Sequence, residues 1–370
     1  MIIGILKEPS FEPRVSLLAA EANALTKSGN TVWAEAGAGM KAFCTDKDYE
    51  AGGVVIKTRQ DMIAGADILL SLHFDDIPAA SLNTVFIGVY QPLFHKEQVE
   101  NWVKQNLTVF SLDMLPRTTR AQSMDVLSSQ ANIAGYKAAI LAASLYPRYL
   151  PMMMTAAGSV APAKVLILGA GVAGLQAVAT SRRLGAVVEV FDTRPEAKEE
   201  VLSLGAKFVE VEGAADAAKA GGYAVTQTED FQQRQKQKIA DSIKKADIVI
   251  TTAQIFGKKA PLLVTMEMIE TMRAGSVIID LASSTGGNTE VTKDRGTIIY
   301  SNVTVIGDSN LAASASSDAS KLYGKNVLNF LKLLVNKEGA LDINLTDDII
   351  NSTCITSAGK IISPIYISKS

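Results

Sequence analysis

The chain has 370 residues, 48% of them hydrophobic, and 36 basic against 38 acidic side chains leave a net charge of −2. That length suggests about two domains, the composition supports sizeable cores and argues against disorder, and the charge balance offers no basic field to nucleic acid or an anionic membrane. Cys44 and Cys354 are too few for a disulfide framework and sit in no metal-ligand spacing, which fits a reducing compartment.

Met1–Lys7 has no basic stretch before its apolar run and no small-residue cleavage site, so it reads as a buried strand rather than an export signal. Short β-branched runs then alternate with helical stretches, the pattern of a parallel α/β sheet. In the first third the expected strands are Ile2–Leu6, Thr31–Ala34, Val54–Ile56, Ile68–Leu72, Val85–Val89 and Thr108–Leu112, with helices such as Leu17–Lys27 and Lys96–Lys104 between them. An Ala- and Ser-rich apolar-periodic segment, Ala121–Leu145, predicts a long helix carrying the chain into a second domain, ended by Pro147 and Pro151. Strands are expected again at Val165–Leu168, Val187–Phe191, Phe208–Val211, Ile248–Thr251, Val277–Asp280 and Val303–Ile306. The helices between them are Val172–Leu184, Pro195–Leu204, Asp230–Lys245 and Thr265–Met272. The last long helix, Ser316–Val335, carries an apolar stripe that suits a return to the first domain. The expected division is a discontinuous first domain of 1–125 plus 336–370, a linking helix and connection over 126–163, and a second domain over 164–335 that includes the return helix. The uncharged run Val165–Ser181 falls short of the ~20 residues a membrane span needs.

That run holds the most informative motif. Gly169-Ala-Gly171-Val-Ala-Gly174 follows a buried strand directly and opens a helix. Gly169 would make the tight turn, Gly171 would let backbone approach a pyrophosphate at the helix N-terminus, and Gly174 would let helix and strand pack closely. The next strand ends in Asp192, where a carboxylate accepts from adenine-ribose hydroxyls and repels a 2′-phosphate. Arg194, two residues on, is the kind of residue that accepts such a phosphate, but the acid at the strand end outweighs it, so the expected cofactor is NAD(H).

Two further segments stand out. Arg117, Arg120, Gln122, Asp125 and Ser128 gather at a strand end and a helix start, and on one helix Gln122, Asp125 and Ser128 would face one way. Gly221-Gly222-Tyr223 leads into the polar stretch 227–245, which reads as a hinge with a Tyr able to close over a ligand.

Together the run PRTTRAQSMDVLSSQANIAGY, the turn GAGVAGLQA with its following Asp192, and the GGYA loop closely resemble the NAD(H)-binding component (domain I) of proton-translocating nicotinamide nucleotide transhydrogenases. The resemblance covers essentially the whole chain, Gly275–Leu281 and Asp318–Leu331 included, and alanine dehydrogenase is the related family. It implies an α/β fold of two Rossmann-like domains with parallel sheets around a cleft, and a homodimer. It also implies direct hydride transfer from NADH to NADP⁺ held on a separate NADP(H)-binding domain or beta subunit, with a membrane subunit coupling that step to proton translocation. By resemblance Arg117, Gln122, Asp125 and Ser128 surround the nicotinamide, with Arg120 as a further cofactor residue. Gly169, Gly171, Val172 and Gly174 match the pyrophosphate turn, and Asp192, Thr193 and Arg194 the adenosine side. Gly222 and Tyr223 match a mobile loop, with Gln235 beyond it. Gln254 stands where some members carry Leu, which leaves a backbone contact and puts an apolar one in doubt. Some members continue into transmembrane helices; this chain's end at Ser370 is read as a separate subunit, peripheral on the cytoplasmic side of the inner membrane.

A self-contained amino-acid dehydrogenase is the alternative, and it needs a carboxylate anchor and acid/base groups. Arg14 stands where such an anchor would be. However, His73 and His95 are the only histidines, Ser71 with His73 and Tyr90-Gln91-Pro92 occupy the two regions where alanine dehydrogenase carries Lys and His, and Ala282–Gly287 lacks its Asp before the Gly-Gly pair. A non-enzymatic NAD-sensing module is a third class, against which the polar run 117–128 speaks. Nicotinamide-to-nicotinamide transfer needs no acid or base, so catalysis there is orientation, with reacting carbons brought to about 3–3.5 Å.

Overall fold

The structure is a computed structural model that describes residues 1–74, 84–211, 229–336 and 339–369. Its strands in chain order are β1 (Ile2–Ile5), β2 (Thr31–Glu35), β3 (Val55–Lys57), β4 (Ile68–Leu70), β5 (Val85–Gly88), β6 (Thr108–Ser111), β7 (Met153–Thr155), β8 (Gly158–Val160) and β9 (Lys164–Leu168). They continue with β10 (Val187–Phe191), β11 (Lys207–Phe208), β12 (Ile248–Thr251), β13 (Val277–Asp280), β14 (Gly296–Tyr300), β15 (Val303–Gly307), β16 (Cys354–Ser357) and β17 (Lys360–Ile361). The chain forms two compact units, residues 1–130 with 313–370, and residues 131–312.

In the first unit β3-β2-β1-β4-β5-β6 form a parallel sheet, extended at the β6 edge by β16 and β17, each antiparallel to its neighbour. The interior strands β4 and β5 are buried along their whole length, as a parallel sheet covered on both faces requires. The second unit repeats the order: β11-β10-β9-β12-β13-β15, all parallel, with β14 antiparallel at the far edge. Both are the 3-2-1-4-5-6 order of a doubly wound Rossmann-like sheet, with a switch point between β1 and β4 in one and between β9 and β12 in the other.

The structure differs from the expected elements and division at four places. The return helix Ser316–Leu334 belongs to the first unit, not the second: Tyr323, Val327, Phe330, Leu331 and Leu334 share a core with Ile3, Ile5 and Ile68, and Phe330 meets Phe110 edge to face with ring centroids 5.7 Å apart. The linking helix begins at Val126, and Thr119–Met124 form a separate 3₁₀ turn. The two units divide inside that helix, between Gln130 and Ala131. Finally, β7 and β8 form a hairpin in a stretch expected to be an irregular connection, and β14, β16 and β17 were not anticipated. Among the described residues no helix is long and apolar enough to cross a membrane.

Candidate functional site

The glycine turn of the second unit is built as its spacing demands. Gly169 has φ +106°, a conformation costly for any residue with a Cβ. A Cβ on Gly174 would sit 1.8 Å from the Gly169 carbonyl oxygen, so only glycine lets the helix Val172–Arg183 lie this close to the turn. Gly171 differs: among the described residues, a Cβ there would meet no atom within 4 Å. Among the described residues the space over Gly171 is open, and as N-cap it puts no side chain on the first N–H groups of the helix. An uncapped helix N-terminus facing open space suits an anion. Val172, the first residue of that helix, is 41% exposed.

Asp192, just past β10, ties into this turn. One carboxylate oxygen accepts the Ala170 N–H (2.6 Å) and Nη2–H of Arg194 (2.9 Å); the other accepts the Arg194 backbone N–H (2.8 Å) and Nε–H (2.9 Å). The acid therefore fixes the turn as well as facing its rim, and Arg194 is bound as its fork-shaped partner. Thr193 lies half-buried between them. Across the switch point, Thr252 donates from Oγ1 to the Gly169 carbonyl (3.0 Å), and the exposed Gln254 donates from Nε2 to the Leu281 carbonyl (3.2 Å). Gln235 is half-buried on the helix Glu229–Ile243. Gly222 and Tyr223 fall outside the described residues.

The polar run of the first unit is assembled differently from the single helical face that its spacing suggests. Gln122 lies on the 3₁₀ turn, Asp125 is in extended backbone after it, and Ser128 is in the first turn of the helix Val126–Leu145. The chain must leave helical geometry at Asp125 because this residue caps the helix: Oδ1 accepts the Ser128 N–H (2.9 Å) and Oδ2 accepts the Ser128 hydroxyl (2.6 Å). With its proton committed to Asp125, the Ser128 oxygen presents lone pairs and acts as an acceptor. Arg117 and Gln122 are exposed.

The turn that carries Gln122 is anchored from both sides by residues the sequence did not single out. Asn326 (2.8 Å) and Asn329 (3.1 Å), one helical turn apart on the return helix, both donate to the Ser123 carbonyl. Arg120, expected among the cofactor residues, instead spans Asp347 and Asp348, the first of which caps the helix Asp348–Thr353. No sequence signal joins these positions, because more than two hundred residues separate the partners.

A buried charged cluster lies at the ends of β1 and β4. Arg14 donates Nε–H (2.8 Å) and Nη2–H (2.8 Å) to the two oxygens of Glu12 and Nη1–H to Gln130 (2.9 Å). His73 Nε2 is 2.9 Å from Glu12. Burial opposes a charge on Glu12, but these bonds and the Arg14 charge hold its carboxyl well below the usual range. Glu8 goes the other way: burial pushes it up to about 8, against bonds from the Leu72 and His73 backbone N–H groups. Among the described residues there is no metal-binding group of His, Cys, Asp and Glu.

Residues 4–134 match the family described as Alanine dehydrogenase/PNT, N-terminal domain, and residues 138–364 the one described as Alanine dehydrogenase/PNT, C-terminal domain. The chain is 41% identical over 376 residues to an NAD(P) transhydrogenase subunit alpha of Rickettsia prowazekii (strain Madrid E), covering 100% of this chain and 97% of that protein. The crystal structure of transhydrogenase from Sinorhizobium meliloti matches with a TM-score of 0.89 at 42% identity, over 98% of this chain and 100% of that one. An L-alanine dehydrogenase structure shares the fold with a TM-score of 0.80 at 22% identity, over 100% and 99% of the two chains.

Proposed function

The chain belongs to the alanine dehydrogenase/PNT family as a homologue of the transhydrogenase alpha subunit, and we propose that it is the NAD(H)-binding subunit of a proton-translocating transhydrogenase. The observation that carries this reading is the glycine turn: open space over Gly171, an uncapped helix start, and Asp192 bonded to Ala170 at its rim. A dinucleotide fits that cradle, with Gly169, Gly171, Val172 and Gly174 at its pyrophosphate and Asp192, Thr193 and Arg194 at its adenosine. When bound there, NADH would supply a hydride for NADP⁺ on a partner subunit, and a membrane subunit would couple that transfer to proton movement.

The chain's own residues bind and orient. Asp125 sets the Ser128 hydroxyl as an acceptor for the N–H of a carboxamide, and Gln122 and Arg117 add an amide and a cation on a turn held by Asn326 and Asn329. Calorimetry is expected to give NADH roughly a hundredfold preference over NADPH, because a 2′-phosphate would face a carboxylate. Asp192→Ala should lower NADH affinity and narrow that preference, since it also frees the Arg194 fork for a phosphate. Equal affinities for the two nucleotides in the unaltered protein would overturn the assignment of the adenosine side.

Arg14 supports this reading over an amino-acid dehydrogenase. Its guanidinium is already forked by Glu12 and bonded to Gln130, so a substrate carboxylate would have to displace a buried anion. Pyruvate and ammonia are expected to produce no NADH oxidation; alanine formation by the purified chain would reverse the choice.

The hairpin β7–β8 supports assembly with a second copy. Met153 (37%), Met154 (76%) and Val160 (41%) are exposed on it and Met152 (61%) just before it, and a two-stranded hairpin has little stability without a partner surface. Met154→Asp is expected to shift a dimer towards monomer in sedimentation equilibrium at micromolar concentration, and an unchanged dimer would remove the hairpin from the interface.

A further inference from the structure

Asn288, in the loop after β13, is completely buried, and every hydrogen-bonding group of its side chain is used. Oδ1 accepts the Ala253 N–H (3.0 Å), while Nδ2 donates to the Ala253 carbonyl (2.8 Å) and to the Pro261 carbonyl (2.8 Å). The amide thus pairs with Ala253 as a neighbouring strand would. Its own backbone is fixed with equal care: the N–H donates to Asp280 (2.7 Å), and the carbonyl accepts from Leu263 (2.8 Å) and Val264 (3.0 Å). Asp280, also completely buried, accepts in addition from Ala282, Thr289 and the Thr292 hydroxyl.

The segment held in this way is the far wall of the switch point. Ala253 follows Thr252, whose N–H donates to the Leu168 carbonyl (2.9 Å) and whose hydroxyl donates to the Gly169 carbonyl (3.0 Å). Hydrogen bonds, joined by the Thr252–Ala253 peptide, therefore link Asp280 through Asn288, Ala253 and Thr252 to the glycine turn. The strand order β10-β9-β12 puts Asp192 on one side of that turn and segment 252–257 on the other. A dinucleotide with its pyrophosphate on the turn and its adenosine at Asp192 must run its second half over the β12 side.

We propose that Asn288 is a positioning residue: acting through Ala253, it holds segment 252–257 in place for the nicotinamide half of the nucleotide. This rests on the reading of the glycine turn as a dinucleotide site, and it assigns a role that neither the turn nor the polar run of the first unit supplies. Purely structural glue would affect both halves of a ligand alike, whereas a positioning role affects one.

The test compares NADH with 5′-AMP, which carries only the adenosine half and one phosphate. Asn288→Ala is expected to weaken NADH about tenfold and to leave 5′-AMP within about twofold, with a cooperative melt retained. Amide exchange at Ala253 should accelerate in the same variant. Asn288→Thr, which fills more of the space, should show the same split if the alanine variant is too unstable to handle. Equal weakening of both ligands, unchanged NADH binding, or loss of fold in both variants would overturn the positioning role. Failure of the unaltered protein to bind either nucleotide would instead overturn the reading of the turn.

Discussion

Gly171→Ala is expected to abolish measurable NADH binding while leaving the melting temperature within a few degrees of the unaltered protein, and Gly174→Ala to lose both. The two glycines are three residues apart in one motif, yet the structure gives them opposite reasons to be glycine. A methyl group on Gly171 enters empty space at an ordinary backbone conformation, φ −75°, so the fold has nothing to accommodate. It does occupy the approach to the first turn of the helix Val172–Arg183, where an anion needs backbone N–H groups at ~3 Å. A methyl group on Gly174 would lie 1.8 Å from the Gly169 carbonyl oxygen, well inside the 3.0 Å that real Cβ atoms keep. Backbone cannot yield there without moving helix from strand, and overpacking of this kind costs ~1–3 kcal/mol or more. Thermal unfolding and NADH titration of the pair separate the two causes. Normal NADH affinity in Gly171→Ala would mean that no pyrophosphate lies on this turn.

Gln122→Asn is expected to slow single-turnover hydride transfer to a partner's NADP⁺ by about a hundredfold, with NADH affinity within a few-fold of normal. The substitution keeps the amide and shortens its reach by one methylene. A misplacement of ~1 Å at the reacting centre is worth roughly two orders of magnitude in rate and little in ground-state binding. The backbone beneath Gln122 is stiff: Asn326 and Asn329 hold the Ser123 carbonyl, and Arg120 holds Asp347 and Asp348. The turn cannot shift to restore the lost length. An unaltered transfer rate would reduce Gln122 to an exposed residue of a 3₁₀ turn.

What could be read in the sequence follows the range of the interactions. Buried parallel strands advertise themselves as continuous apolar runs, so β4, β5, β9, β12 and β13 were legible, as were the glycines and the acid at the end of β10, whose partners lie within one βαβ unit. Ala121–Leu145 reads as one helix because Ala121, Met124 and Val126 keep an apolar period. Only the cap formed by Asp125 on Ser128 breaks it, and a cap is a choice between two conformations that periodicity does not register. The return helix shows its apolar stripe but not which sheet receives it. Antiparallel edges such as β16 on β6 join segments far apart in the chain. Asn288 carries no signal at all: an Asn after Gly-Gly reads as a turn residue, and only the fold reveals that its amide pairs with Ala253.

The most direct test of the account is a rapid-mixing experiment in which this chain, loaded with NADH, meets a transhydrogenase NADP(H)-binding domain loaded with NADP⁺. The expected result is a single-turnover burst in which NADPH appears as NADH disappears, one for one, with no need for pyruvate or ammonia. Tight binding of both nucleotides and stable docking of the two proteins, with no hydride exchanged between them, would contradict it.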